Sequence, residues 1–181
     1  MLTPSQLEEI LAIEASLEVP SFSVTDAWDL GSLLRTRLLF SPKPVIITIL
    51  APSPFPNARL LFHTVTPRHA GSVPDKVTGP DNDVWVARKT KTVLRFGVSS
   101  YYMGVKFGSM SASGMDESAF ATKYGLHEQE ASQYAIHGGA VPVRVKGVEG
   151  VVAVVVVSGL KQEEDHAVVV EVMQEWIKTL E

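Results

Sequence analysis

The 181-residue chain contains no cysteine. That excludes disulfides, thiolate nucleophiles and Cys-ligated zinc or iron–sulfur clusters, and it fits a reducing compartment. Long apolar runs are also missing. The longest that stands out, Val151 to Val157, is seven residues, far short of the roughly 20 that a membrane-spanning helix needs. Basic residues are outnumbered, with 16 Lys+Arg against 20 Asp+Glu and a net charge of -4. Nucleic acid is therefore not an expected partner, because phosphate binding draws on a basic surface. There is no GxGxxG after a strand, no Walker loop, no HExxH and no CxxCH. "FGVSS" lacks the flanking glycines of a nucleophile elbow, and Ser99 and Ser100 have no assignable base. The start, "MLTPSQLEEILAIEA", lacks the basic head and apolar block of a signal peptide, so the expected location is cytoplasmic.

What is present is an ordinary globular composition, 45% apolar and 20% charged, in a chain long enough for one sizeable core. Thr3-Pro4-Ser5-Gln6 reads as a helix start, with Thr as cap and Pro at the first helical position. Leu7, Ile10, Leu11 and Leu17 follow at helical spacing, with Glu8, Glu9 and Glu14 expected on the polar side. A second helix is expected from about Thr25 to Phe40, with Ala27, Leu30, Leu34 and Leu38 on its apolar stripe. "PVIITILAP" and "ARLLFHTV" read as two strands joined by the turn "PFPN". The Pro- and Gly-rich stretch 66–80 reads as a loop. Asp81 or Asn82 is expected to cap a third helix, "DVWVARKTKTVLRFG". "SSYYMGVKFGSMSASGM" reads as irregular or weakly helical, and "DESAFATKYG" as a short helix closed by Gly125. "AVPVRV" and "GVVAVVVVSG" read as a hairpin turning at Lys146 to Glu149, and the last helix runs from about Lys161 to Leu180.

Strands joined by short turns are antiparallel neighbours. The valine run has no polar alternation, so neither face of that strand meets water and helices must cover both sides. The expected fold is α/β (α+β): a three-layer α/β/α sandwich around an antiparallel sheet.

Several motifs then form a recognisable set. They are Ala87-Arg88-Lys89 with Thr92, Phe96-Gly97, Gly138-Gly139, Pro142-Val143, Gly147 and Gly150, Val157-Ser158-Gly159, and Glu164-Asp165. In order and position, over about residues 82 to 175, this resembles the HbpS/GlcG-like superfamily, also called the haem-degrading domain. Asp29-Leu30-Gly31, Pro80 to Asp83, Trp85, Arg95-Phe96-Gly97, Ser99-Ser100 and Glu164-Asp165-His166 are similar to one branch of it. The resemblance implies a profilin-like fold, homo-oligomers and, in some members, haem or a related tetrapyrrole as ligand. The expected organisation is a single domain of this kind over 1–181 with an N-terminal helical extension.

The residues themselves offer candidate ligand contacts. His137 precedes Gly138 and Gly139, where absent side chains let a ligand or another backbone approach. His166 shares a face of the last helix with Val169, Val170, Met173 and Ile177, and so points inward beside the end of the valine strand. The alternatives are a hydrogen-bonded core histidine at His137 and ordinary capping charge at Glu163, Glu164 and Asp165. Arg88, Lys91 and Arg95, at i, i+3 and i+7, form a basic stripe that can hold propionates or phosphates, or simply a solvated face. Trp85 and Phe96 adjoin it as candidate interface residues. His63 and His69 have no metal-ligand spacing with another histidine, His127 is expected to be exposed, and no metal site is read. Tyr101, Tyr102, Met103 and Tyr134 read as core or as a flat apolar pocket.

Three functions compete. The first is a homo-oligomeric protein binding a small hydrophobic anion, with haem as the candidate cofactor. The second is a non-catalytic oligomeric scaffold for a protein partner. The third is a haem-degrading or redox enzyme, for which the sequence identifies no nucleophile or acid–base pair.

Overall fold

The valine run becomes the strand around which the other layers are arranged. In the computed structural model, which describes residues 4–53, 58–67, 78–108 and 117–180, the elements are α1 (Pro4–Ala15), α2 (Val24–Leu38), β1 (Ile46–Ala51), β2 (Arg59–Val65), α3 (Pro80–Phe96), α4 (Ser100–Lys106), α5 (Glu117–Lys123), α6 (Glu128–Ala131), β3 (Ala140–Val143), β4 (Ala153–Ser158) and α7 (Gln162–Ile177). The Thr3 cap, the "PFPN" turn, His69 with most of its loop, and 109–116 lie outside the described residues.

The sheet is antiparallel throughout, in the order β2-β1-β4-β3. All six residues of β4 are buried. Alternate valines supply two separate cores. Val155 and Val157 join Ile47, Ile49, Leu30, Leu34, Val169 and Met173 under α2 and α7. Val154 and Val156 join Ile46, Ala140, Val86 and Val93 under α3. A strand that feeds both layers has no use for polar alternation. The three-layer α/β/α expectation therefore holds.

The two outer layers cover the sheet unequally. The α2–α7 layer spans it, since α2 packs on β1 and β2 and α7 on β4 and β3. On the other side α3 packs on β4, β3 and β1. There the edge strand β2 shows Leu60, His63 and Val65 to solvent. A β-bulge between Ile49 and Leu50, opposite Leu61, interrupts the β1–β2 register.

Local chemistry explains several boundaries. Ser23 caps α2, which starts at Val24: its hydroxyl accepts from the Asp26 N–H at 3.3 Å while the Asp26 carboxylate accepts from the Ser23 N–H at 2.6 Å. Asp81 and Asn82 are inside α3, which starts at Pro80. Asn82 reaches back to accept from the Gly79 N–H at 3.0 Å, so it is the third helical residue and not the cap. Gly97 closes α3 in the left-handed region. Ser99 caps α4, its hydroxyl accepting from the Tyr102 N–H.

Glu14 departs from the polar side expected for it. It is buried, and its Oε2 accepts from the Ser99 N–H at 3.0 Å, which ties α1 to the start of α4. Burial raises its carboxyl above the ordinary range, against the pull of Ser99 and Arg144.

Candidate functional site

The family-like motifs converge where α3, the β3 entry and the start of α7 meet. Lys89 is buried on the inward stripe of α3, between Val86 and Val93. Its Nζ lies 3.4 Å from Asp165 Oδ2 and donates to the Val157 carbonyl at 3.3 Å. Asp165 also accepts from the Leu160 N–H at 3.0 Å and the Gly159 N–H at 3.4 Å. Burial lowers the Lys89 ammonium and raises the Asp165 carboxyl, and the attraction between the two ions opposes both shifts. Asp165 is thus not solvent-facing helix charge: it ties α3, β4 and α7 together. The sequence carried a usable signal for Lys89, because the 86-89-93 spacing puts it on the apolar face.

The paired glycines complete this junction. A Cβ on Gly139 would meet the Val157 carbonyl and sit 2.9 Å from Lys89 Nζ and from the Asp165 Cβ, at a φ of +118°. A Cβ on Gly138 would meet the Gln162 carbonyl and the Tyr101 ring. The close approach at this pair is to the chain's own backbone. Thr92 adds to the junction, donating to the Ala135 carbonyl at 2.8 Å and accepting from its N–H at 3.1 Å. Ser100 Oγ accepts from the Ala140 N–H at 3.1 Å.

The two candidate histidines flank this region but differ in surroundings. His137 is half-buried, its ring edge-on to Trp85 at 4.7 Å and its Nδ1 3.6 Å from the Glu117 carboxylate. Burial lowers its pKa. His166 points inward, as its helical face requires. It is buried, stacked on Tyr101 at 4.4 Å, and pushed down to about 4 by desolvation. The Nδ1 atoms of both rings are buried without a hydrogen-bond partner among the described residues.

The basic stripe begins beside His137, since Arg88 also touches that ring's neighbours Trp85 and Glu117, and runs along the rim of a groove of about 1170 Å³ between α3 and the uncovered face of β1 and β2. Leu50, Val86 and Val151 form apolar parts of its lining, with Val84, Ala87 and Leu94 along α3. Neither His137 nor His166 lines it. The stripe is partly committed to the chain's own residues. Arg88 donates from Nε to the Tyr134 carbonyl at 2.9 Å, sits 3.6 Å from Glu117, and lies over the Trp85 ring. Arg95 donates to the Tyr134 hydroxyl at 2.7 Å and lies 3.4 Å from the exposed Glu130. Lys91 donates to the Gln133 side-chain carbonyl and sits over the Tyr134 ring. Among the described residues it has no carboxylate within ion-pair distance.

His63, which has no metal-ligand spacing with another histidine, lies in the groove. It is opposite Thr48 in the β1–β2 ladder, with its Nδ1 3.1 Å from Thr48 Oγ1. That contact leaves Nε2 as the nitrogen suited to ligate. The signal for it was the strand pairing, not the sequence spacing. Trp85 and Phe96 are half-buried by their own chain. Phe96, offered as a candidate interface residue, packs on Phe120, Tyr124 and Tyr134 of its own chain. Met103 and Tyr134 are core residues of the same cluster.

Fold and site together define an α/β/α sandwich with a ligand-sized open groove beside its edge strand. The model of the family described as "Haem degrading protein HbpS-like" matches residues 22–174, and the chain belongs to that family. A UPF0303 protein of Streptomyces avermitilis is 37% identical over 174 residues, covering 96% of this chain and 92% of that one. UPF0303 protein YBR137W of Saccharomyces cerevisiae is 39% identical over 166 residues, covering 91% and 80%. The crystal structure of the Ybr137w protein superposes with a TM-score of 0.75 at 36% identity, covering 97% of this chain and 90% of that one. Streptomyces reticuli HbpS shares the fold at a TM-score of 0.53 and 14% identity, covering 89% and 88%. No helix among the described residues is long and apolar enough to cross a membrane.

Proposed function

We propose that this chain is a homo-oligomeric protein that binds a small, largely apolar, anionic ligand in the groove between α3 and the β1–β2 face. The supporting observation is the lining itself: an apolar bed of Leu50, Val86, Val151 and Leu94 with Lys91 and Arg95 at its rim. Its volume of about 1170 Å³ suits an organic ligand. Lys91 can receive an anion directly. Arg95 must loosen its exposed contact with Glu130, which costs little.

The family's description makes haem the ligand to test, and the residues present fit it. The bed is apolar, the rim can meet carboxylates, and His63 offers an imidazole whose other nitrogen is held by the Thr48 hydroxyl. A bound haem would supply an iron able to accept that imidazole. His137 and His166 serve the fold in this reading, as does the Lys89–Asp165 pair.

The test is titration with haemin and, separately, metal-free protoporphyrin IX. Wild type should shift the haemin Soret band and bind both molecules. His63→Ala should lose the coordination signature while still binding protoporphyrin. Lys91→Glu should weaken both roughly tenfold or more, and His137→Ala should weaken neither. Absence of binding of either molecule to wild type would overturn the reading.

A further inference from the structure

The edge strand β2 carries apolar side chains on both of its shoulders. On the α3 side Leu60 is 57% exposed and Val65 is 40% exposed. Across the groove, Val84 is 55% exposed. On the α2 side Trp28 is 64% exposed, its ring edge-on to Phe62 of β2 at 5.7 Å. Among the described residues no strand pairs with the outer edge of β2. The other edge differs. Beyond the end of β3, Val19 exchanges backbone hydrogen bonds with Arg144 and Lys146, each at 2.9 Å, closing that side locally. An exposed edge with apolar flanks invites pairing with another chain, and β2 has neither lysine nor proline to deter it.

We infer that this edge is where a second copy of the chain docks, β2 against β2 antiparallel across a two-fold axis perpendicular to the sheet. Two observations favour a second copy over an extended peptide. A lone added strand is one layer, about 4.8 Å wide, and covers neither shoulder. A second copy brings its own α2 to the Trp28 side and sets its own Leu60 and Val65 beside those of the first on the groove side, so both shoulders gain apolar contact by the same operation. The charge pattern agrees. The one acidic or basic residue in β2 is Arg59, at its start. Antiparallel self-pairing over Phe62–Val65 leaves the two copies of Arg59 beyond opposite ends of the ladder, about 30 Å apart along the strand direction, so these charges do not face each other. The bulge opposite Ile49–Leu50 confines regular pairing to Phe62–Val65, where the strand carries no formal charge apart from a protonatable His63. A two-fold contact of this kind is isologous: the same patch serves both partners. It also places the second copy beside the open flank of the ligand groove.

The surface rests on the self-association part of the proposed function and not on the ligand, so its test uses no haemin. Native mass spectrometry and light scattering on the full chain should give a multimer. Trp28→Glu and Leu60→Lys should each lower its mass by a factor of two or more with unchanged far-UV circular dichroism. Val148→Lys, on an exposed turn elsewhere, should leave it unchanged. Because the chain has no cysteine, single cysteines report proximity directly. One of Leu61→Cys, Thr64→Cys or Val65→Cys should form a covalent dimer, which needs Cα atoms within about 7 Å, and Val148→Cys should not. A multimer insensitive to Trp28→Glu and Leu60→Lys, with no cross-linking at β2, would overturn this surface while leaving self-association intact. A monomer at every concentration would overturn both.

Discussion

The two helical layers of this protein do opposite things with the same sheet. Under α2 and α7 the cover extends over β2, and at the junction with α3 the polar groups pair with one another: Lys89 with Asp165, Asp165 with two backbone amides, Thr92 with Ala135. Beyond α3 the cover stops short, leaving a groove with a charged rim and an uncapped strand edge. The glycine and Lys89–Asp165 motifs fall in the closed region, whereas the groove takes motif residues from α3 alone, Asp83, Ala87, Arg88 and Arg95. A recurrent residue pattern can thus mark where a fold is held together as well as where a ligand-sized space opens.

The most severe way to break this contrast is to open the closed side. Lys89→Ala leaves a buried carboxylate uncompensated and should cost about 3–5 kcal/mol, read by urea denaturation. Lys89→Met with Asp165→Leu should recover part of that, because the Gly159 and Leu160 N–H groups still lose their acceptor. Gly139→Ala forces a side chain into a left-handed site against the Val157 carbonyl, and should cost about 2–4 kcal/mol in the same assay.

His166 gives the closed side a pH signature. Its folded pKa is held down to about 4, below the ordinary 6.5, by burial. On acidification the unfolded chain takes up the proton first. The stability tied to the neutral ring is intact above about pH 6.5, is lost as pH falls towards 4, and levels off below. The loss is on the order of 3 kcal/mol. Thermal unfolding of wild type against His166→Leu should show the variant with a shallower decline over that window.

The smallest stability effect belongs to the open side. Leu94→Gln on the groove lip should change stability by about 0.5 kcal/mol or less, yet weaken ligand binding measurably in the haemin titration. A large loss of stability there would mean the groove is core, and the contrast between the two layers would fail.

Much of the fold was legible because its signals are local. The valine run announced a strand buried on both faces, Gly125 a helix stop, and the turn at Lys146 to Glu149 the β3–β4 hairpin. The inward direction of His166 followed from helical spacing alone. The errors have a common source. Helical spacing puts Glu14 on the polar side, where carboxylates usually lie, and only the packing of α1 on α4 supplies the Ser99 amide that admits it. Asp165 looked like capping charge because its partner is 76 residues away.

By itself, then, the sequence determined the four strands and the long helices, though not the short α6, together with the antiparallel hairpins, the two-sided burial of β4 and the family to which the chain belongs. These follow from periodicity, turn chemistry and motif order within short stretches of chain. Tertiary structure alone decided that the paired glycines accommodate the chain's own backbone, that Lys91 stands on a groove rim, and that His63 meets Thr48 across the ladder. It also decided that β2 is left with an open edge. The physical reason is that a cavity and an edge are defined by which surfaces fail to meet, and that depends on how far α3 reaches across the sheet.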